Sequence, residues 1–462
     1  MSRRVPLLCL LSSLLAGCIS VGPDYREPAP VLPLHWHAVD SGAASGSPAG
    51  WWRSFDDPAL AGLIDAALAT SPDLRTAQAR LREARARTSV AEAARYPGIT
   101  NDISGRRSES AGKGVATDTY SIGFDASWEI DLFGGTRRSV EAAQANAEAA
   151  AAGVRDARVT LAAEVARNYL DLRTQQTRLQ IARDNLASQA ETAQLARWRQ
   201  QAGLVTELDA LQAGSTLEST RARIPALESA VEADLNKLAV LAGLPRSEIE
   251  ARFGAAAPIP LTPPALGVTI PAETLRQRPD VRAAERKLAA ATASIGVATA
   301  ELYPGLKLSG NVGLSALSTD TLLRPEAASS SLLASLTTPV FDAGRIRRNI
   351  AIQNALQEQA LIAWEKTVAQ ALADVETALV ALAKSRERAR SLVLAADSAR
   401  LAAQLAQHRY AGGLIDFGTL QDTQRSLLSA DDALASLRGE EASALVQLYK
   451  SLGGGFGEEA AP

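Results

Sequence analysis

The chain has 462 residues, a formal charge of −3, two cysteines and three histidines. That length fits two or three domains or one elongated body, and 47% hydrophobic residues exclude a disordered chain. No basic stripe marks a nucleic-acid partner.

Arg3 and Arg4 precede an apolar run from Val5 to Leu15, and the segment closes Leu15-Ala16-Gly17-Cys18. The run is too short to span a bilayer, so residues 1–17 read as a signal peptide. The tetrapeptide LAGC resembles the lipobox of bacterial lipoproteins. The resemblance implies that Cys18 is diacylated through sulfur, becomes the first residue after cleavage and is then acylated on its amine. Ile19 after the cysteine favours outer-membrane retention in that class, and several acyl chains anchor stably where one does not. Cys9 would leave with the signal, so the mature chain has no free thiol, disulfide or thiolate metal site. Loss of Arg3 and Arg4 takes the formal charge from −3 to −5.

Residues 18–56 form an extended, lipidated N-terminal segment. Val21–Pro28 carries Gly22, Pro23 and Pro28, and Val39–Gly50 is a Ser/Gly/Ala linker. His35 and His37 stand without carboxylate or cysteine neighbours, so no metal or other cofactor is expected. Trp51, Trp52 and Phe55 are read as an anchor packed on the body.

Beyond residue 56 the chain is duplicated. Pro72-Asp73-Leu74-Arg75 recurs as Pro279-Asp280-Val281-Arg282, and Tyr96-Pro97-Gly98 as Tyr303-Pro304-Gly305, both 207 residues on. Gly134 matches Gly344, Arg137-Arg138 matches Arg347-Arg348, and Gly203-Leu204 matches Gly413-Leu414, all 210 apart. The copies are residues 57–243 and 272–453, with a Pro-rich linker over 244–271 and a tail over 454–462. Each copy opens with a helix, about 57–95 and 272–302, that Tyr-Pro-Gly ends.

Strands follow. In Tyr120–Leu132 every second residue is apolar or aromatic, and between them stand Ser121, Gly123, Asp125, Ser127, Glu129 and Asp131. A strand sends successive side chains to opposite faces, so one face is greasy and the other wet and acidic. Thirteen residues suffice for a tilted bilayer crossing, which needs about 9–11. Leu306, Leu308, Gly310, Val312 and Leu314, then Leu332, Ala334, Leu336, Thr338 and Val340, repeat the pattern in copy two. One hairpin per copy makes four strands, and about eight is the fewest that close a barrel. Several chains must then share one: two would give eight strands and three would give twelve.

Next come long helices without proline, Arg137–Ala202 and Arg345–Ala411. About 66 residues at 1.5 Å each reach roughly 100 Å. Val165, Leu172, Leu179 and Leu186 repeat every seven residues, as do Val375, Leu382, Ala389 and Ala396, which is a coiled-coil seam. The chain turns at Gly203 and Gly413, and helices return over about 206–242 and 416–452. The turns Gly203-Leu204-Val205-Thr206 and Gly413-Leu414-Ile415-Asp416 carry apolar tips where surface turns favour Asn, Asp and Ser.

The chain resembles outer-membrane factors of the TolC type, in the NodT/OprM-like lipoprotein subgroup. The resemblance rests on Gly22-Pro23-Asp24-Tyr25, Trp51-Trp52-Arg53-Ser54-Phe55-Asp56-Asp57-Pro58, the two Tyr-Pro-Gly turns, Asp131-Leu132-Phe133-Gly134-Gly135 and Gly203–Asp209. It implies a mainly α fold with a β-hairpin membrane part: a homotrimer whose twelve-stranded β-barrel continues into a twelve-helix tunnel. It also implies a passive duct in outer-membrane lipid, docked at its tips by a periplasmic adaptor and driven by an inner-membrane pump. In that family closure uses a tyrosine and an aspartate placed as Tyr410 and Asp209 are, and Asp422 matches a further acid that would form a cation-favouring ring. Ile415 and Thr419 depart from the pattern. Asp125, Glu129 and Asp131 would line the lumen and set cation preference. No Ser/His/Asp order, phosphate-cradling loop or metal-ligand cluster suggests an enzyme.

Overall fold

The computed structural model describes residues 20–29, 36, 50–109, 116–263 and 278–454. Cys18, His35, His37 and the signal segment lie outside the described residues. The chain divides into two compact units, one of residues 1–30, 79–152 and 282–367, the other of 31–78, 153–281 and 368–462.

The first unit holds the sheet. Strands β1 (Gly98–Glu109), β2 (Ala116–Ile130), β3 (Gly305–Ala316) and β4 (Ala328–Thr337) form one antiparallel sheet in chain order. The two expected hairpins are therefore joined, because β2 of one copy pairs with β3 of the other. Thr338 and Val340, expected in the last strand, lie beyond its end at Thr337. Pro339 follows and, without an N–H, cannot extend the ladder. The outer edges of β1 and β4 have no strand partner among the described residues.

Residues 20–28 are strapped to this unit. The Val21 amide donates to the Phe133 carbonyl at 3.0 Å. Gly22 has φ +89°, and a Cβ there would come 2.4 Å from the Gly296 Cα, so only two glycines allow this approach. Buried Arg138 donates to Asp24 at 2.6 Å and to Glu141 at 2.8 Å. Tyr25 donates to Glu285, which also accepts from Arg286. Burial pushes the Glu285 carboxyl up, but the bonds from Arg286 and Tyr25 outweigh it and hold it below the usual range. Burial and the Glu285 bond raise the Tyr25 phenol.

The sequence predicts one helix over 57–95; the structure has two, α1 (Pro58–Thr70) and α2 (Pro72–Ala93). Pro72 drives Ser71 to ψ 131°, since the residue before a proline is excluded from the helical region. The long helices are α3 (Gly135–Gln201) and α7 (Arg345–Ala411), 67 residues each, and the return helices are α4 (Glu207–Ala242) and α8 (Phe417–Ser451). Pro225 lies inside α4. The helix α6 (Pro279–Ala300) opens the second copy. No described helix is long and apolar enough to cross a membrane.

In the second unit, seam residues Val165, Leu172, Val375, Leu382 and Ala396 are buried as their spacing predicts. Trp51, Trp52 and Phe55 are buried too, and Trp51 stacks on Tyr449 with centroids 5.2 Å apart. The linker is not wholly irregular: Arg246–Phe253 forms a short helix, α5. Buried Arg173 and Gln176 hold its end, donating to the Ala255 carbonyl at 2.9 Å and the Phe253 carbonyl at 2.8 Å. Arg173 also lies 4.9 Å over the Tyr169 ring. A helix C-terminus presents unpaired carbonyls and partial negative charge, which a cation satisfies without a carboxylate. The repeat places a second donor in register with Gln176: Arg386, 210 residues on, donates to the Pro263 carbonyl at 2.7 Å.

Candidate functional site: sheet face and helix tips

The register of the sheet stacks like on like. One face carries Tyr120, Ile122, Phe124, Ala126, Trp128 and Ile130 beside Leu306, Leu308, Val312 and Leu314, with Ile99 and Ile103 on β1. Phe124, Val312, Ile99, Ile103, Leu332 and Leu336 are all exposed large hydrophobics on that face. The ten steps from Tyr120 to Ile130, at about 3.3 Å each and tilted as barrel strands are, rise about 25 Å, the height of an outer-membrane apolar band. Its ends are marked. The Trp128 indole donates to the Arg95 carbonyl at 2.9 Å, and Phe133 stacks on Tyr303 with centroids 4.7 Å apart. Near the other end Arg107 meets Asp118 at 3.8 Å.

The opposite face is polar but not uniformly acidic. Glu129 stands across from Lys307, and Asp125 stands between Thr100 and Asn311. Ser104 and Ser121 share a hydrogen bond of 2.8 Å, and Ser331 donates to Asn311 at 2.9 Å. Asp131 is not on the strand face, because β2 ends at Ile130. Its carboxylate accepts from the Arg137 amide at 2.9 Å and caps the entry to α3. The three acids therefore divide into one beside a lysine, one cap, and Asp125.

The two turns between the long and return helices share one construction. Gly203 and Gly413 have φ +72° and +74°, and the Leu204 and Leu414 amides each reach back to the Arg199 and Arg409 carbonyls at 2.8 Å. This is the Schellman ending, which needs a left-handed residue and so selects glycine. Leu204 and Leu414 are 73% and 76% exposed. The caps that follow exchange residues: Thr206 pairs with Asp209 in a capping box, and Asp416 with Thr419. The bond from the Thr419 amide, with its hydroxyl, holds the Asp416 carboxyl below the usual range.

Those caps correct the expected gate. Asp209 accepts from the Thr206 amide at 3.0 Å and hydroxyl at 2.8 Å, not from Tyr410. Tyr410 is buried, with its hydroxyl unpartnered among the described residues. Its ring lies edge-on to Phe417 at 6.0 Å and beneath the Arg199 guanidinium at 4.6 Å. Arg199 also donates to the Ala411 carbonyl at 2.8 Å. A cleft lined by Arg199, Val205, Asp209, Tyr410, Ile415 and Phe417 gathers these groups, and Asp422 is exposed on α8. Arg199 escaped sequence reasoning, although its position four residues before the turn glycine, shared by Arg409, was available as a signal. Among the described residues no His/Cys/Asp/Glu group could hold a metal.

The family profile described as outer membrane efflux protein matches residues 63–244 and 270–454, so the chain belongs to that family. It is 34% identical over 466 residues to the pyoverdine export outer membrane protein OpmQ of Pseudomonas putida, covering 98% of each chain. It is 30% identical to the probable outer membrane lipoprotein SilC of Salmonella typhimurium, over 96% of this chain and 97% of that one. The solved outer-membrane channel OprN superposes with a TM-score of 0.88 at 37% identity, over 94% of this chain and 99% of that one. The fold is that of the trimeric TolC-type channels, a β-barrel continued by a helical tunnel. The chain is the outer-membrane channel component of a tripartite efflux or secretion system.

Proposed function

We propose that three copies of this chain form a passive export duct, anchored by acylated Cys18 and docked through its helix tips by a periplasmic adaptor that an inner-membrane pump drives. The sheet supports the sharing: four strands whose two outer edges are unpaired among the described residues, with a membrane-height apolar face, need further strands to close. Tip docking rests on one observation. Leu204 and Leu414 project from capped turns at 73% and 76% exposure, where an ordinary surface turn would be polar. Gly203, Val205, Thr206, Gly413, Ile415 and Asp416 shape those tips.

Leu204→Asp with Leu414→Asp should leave the trimer assembled but abolish export, measured as cargo accumulation in cells that depend on this channel. Normal export by the double variant would overturn tip docking. Lipidation is tested separately: Cys18→Ser should abolish labelling by a fatty-acid analogue, and persistent labelling would overturn that assignment.

A further inference from the structure

Across the tips the chain repeats itself at an offset of 210 residues, so each residue of α3 and α4 has a counterpart on α7 and α8. Within one chain the α3 face is satisfied. Thr192 is buried and accepts from Gln424 at 3.1 Å, and Arg199 donates to the Ala411 carbonyl at 2.8 Å. The counterpart face of α7 is Ala402, Leu405 and Arg409, and it is exposed, Leu405 by 52%. The Arg409 guanidinium has no hydrogen bond or ion pair among the described residues.

The surface this face would need is open as well. Gln424 has Gly214 as its counterpart, and a Cβ there would meet nothing within 4 Å. Ala411 has Gln201, the last residue of α3, whose carbonyl belongs to the unsatisfied end of a helix. One half of a repeated contact is made within the chain, and both sides of the other half are bare. A ring of identical chains supplies what is absent, because α7 of one chain then meets α3 and α4 of the next.

We propose that Arg409 donates to the Gln201 carbonyl of a second copy, latching the seam between neighbouring chains as Arg199 latches the seam within one. A guanidinium at a helix C-terminus meets free acceptors and partial negative charge together. The two latches differ in one respect. Position 200 is Gln where position 410 is Tyr, so Arg409 has no ring to stack on and the seam between chains is the weaker one. The inference rests on the trimer proposed above and adds to it the residues that hold the tips closed.

Two cysteine pairs in the full-length lipidated complex test it, with Cys18 blocked by its acyl groups. Arg199→Cys with Ala411→Cys, treated with a short bismaleimide, should link within one chain and run as a monomer after denaturation. Arg409→Cys with Gln201→Cys should instead give multiples of the chain mass up to three. If the second pair stays monomeric while the first reacts, in a complex whose native mass is that of a trimer, the latch is overturned and the trimer stands. A wild-type complex of any other mass overturns the trimer itself. Function is read in planar bilayers: Arg409→Ala removes one latch at each of three seams and should raise the open fraction at least tenfold, since one hydrogen bond to a charged group alone is worth about that factor, and Arg409→Lys should raise it less. Unchanged conduction by Arg409→Ala would overturn the latching role.

Discussion

Tyr410 shows how a motif can place a residue and misstate its work. Its position relative to Gly413 is legible in the sequence, but its partner is not, because two local geometries compete for Asp209. The capping box binds that carboxylate to Thr206 three residues away, and a local cap forms without any tertiary closure. Tyr410 instead presents its ring to Arg199. Tyr410→Phe should therefore leave the conductance of the channel unchanged, whereas Arg199→Ala should raise it; a raised conductance in Tyr410→Phe would show that the hydroxyl matters, and none in Arg199→Ala would contradict the role of the ring contact. Asp209→Ala should cost about 1 kcal/mol of local helix stability, read as faster hydrogen exchange over the first turn of α4. Glu285 makes a pH-dependent contribution whose sign follows from its lowered pKa. Its bonds with Arg286 and Tyr25 stabilise the fold above the unfolded carboxyl value of about 4.3 and are lost as pH falls through the lower folded value. The melting-temperature gap between wild type and Glu285→Gln should be present at pH 7 and narrow as the pH is lowered below the ordinary carboxyl range.

At the scale of elements, periodicity carried most of the reading. The bounds of α7 are as the residue pattern predicts, since no proline or glycine interrupts it, and both glycine turns fall where the helices end. Three elements differ from the sequence pattern for identifiable reasons. Pro72 splits a continuous helical pattern that composition alone hides. The linker contains α5 because Ile249 and Phe253 find a buried site that local sequence cannot announce. The strand pattern runs past Ile130, yet Asp131 leaves the ladder to cap α3. The N-terminal strap is not legible in the sequence, since Gly22 and Gly296 are 274 residues apart: a side chain on Gly22 would meet Gly296, and one on Gly296 would meet Arg138 and Val21. Gly296→Val should displace the strap, because its new Cβ would come 2.7 Å from the Arg138 Cγ and 3.0 Å from the Val21 carbonyl. Trypsin should then cleave at Arg26 far faster than in the wild type, and an unchanged cleavage rate would contradict the contact.

For the whole molecule the sheet decides the account. Its apolar face is exposed over a membrane's height, its other face is polar, and among the described residues both its edges lack strands. A soluble monomer would leave that apolar face in water, against the hydrophobic effect, and a single-chain barrel would need about twice the strands. Sharing among copies removes both conflicts. The alternation of Tyr120–Leu132 was enough to foresee this, while the charge inside the barrel was not. Lys307 neutralises the neighbourhood of Glu129 only through a register that joins the two copies. The measurement that tests the shared duct most directly is the native mass of the detergent-solubilised protein. Three chains in one complex is the predicted result, and a stable, folded monomer would contradict the account.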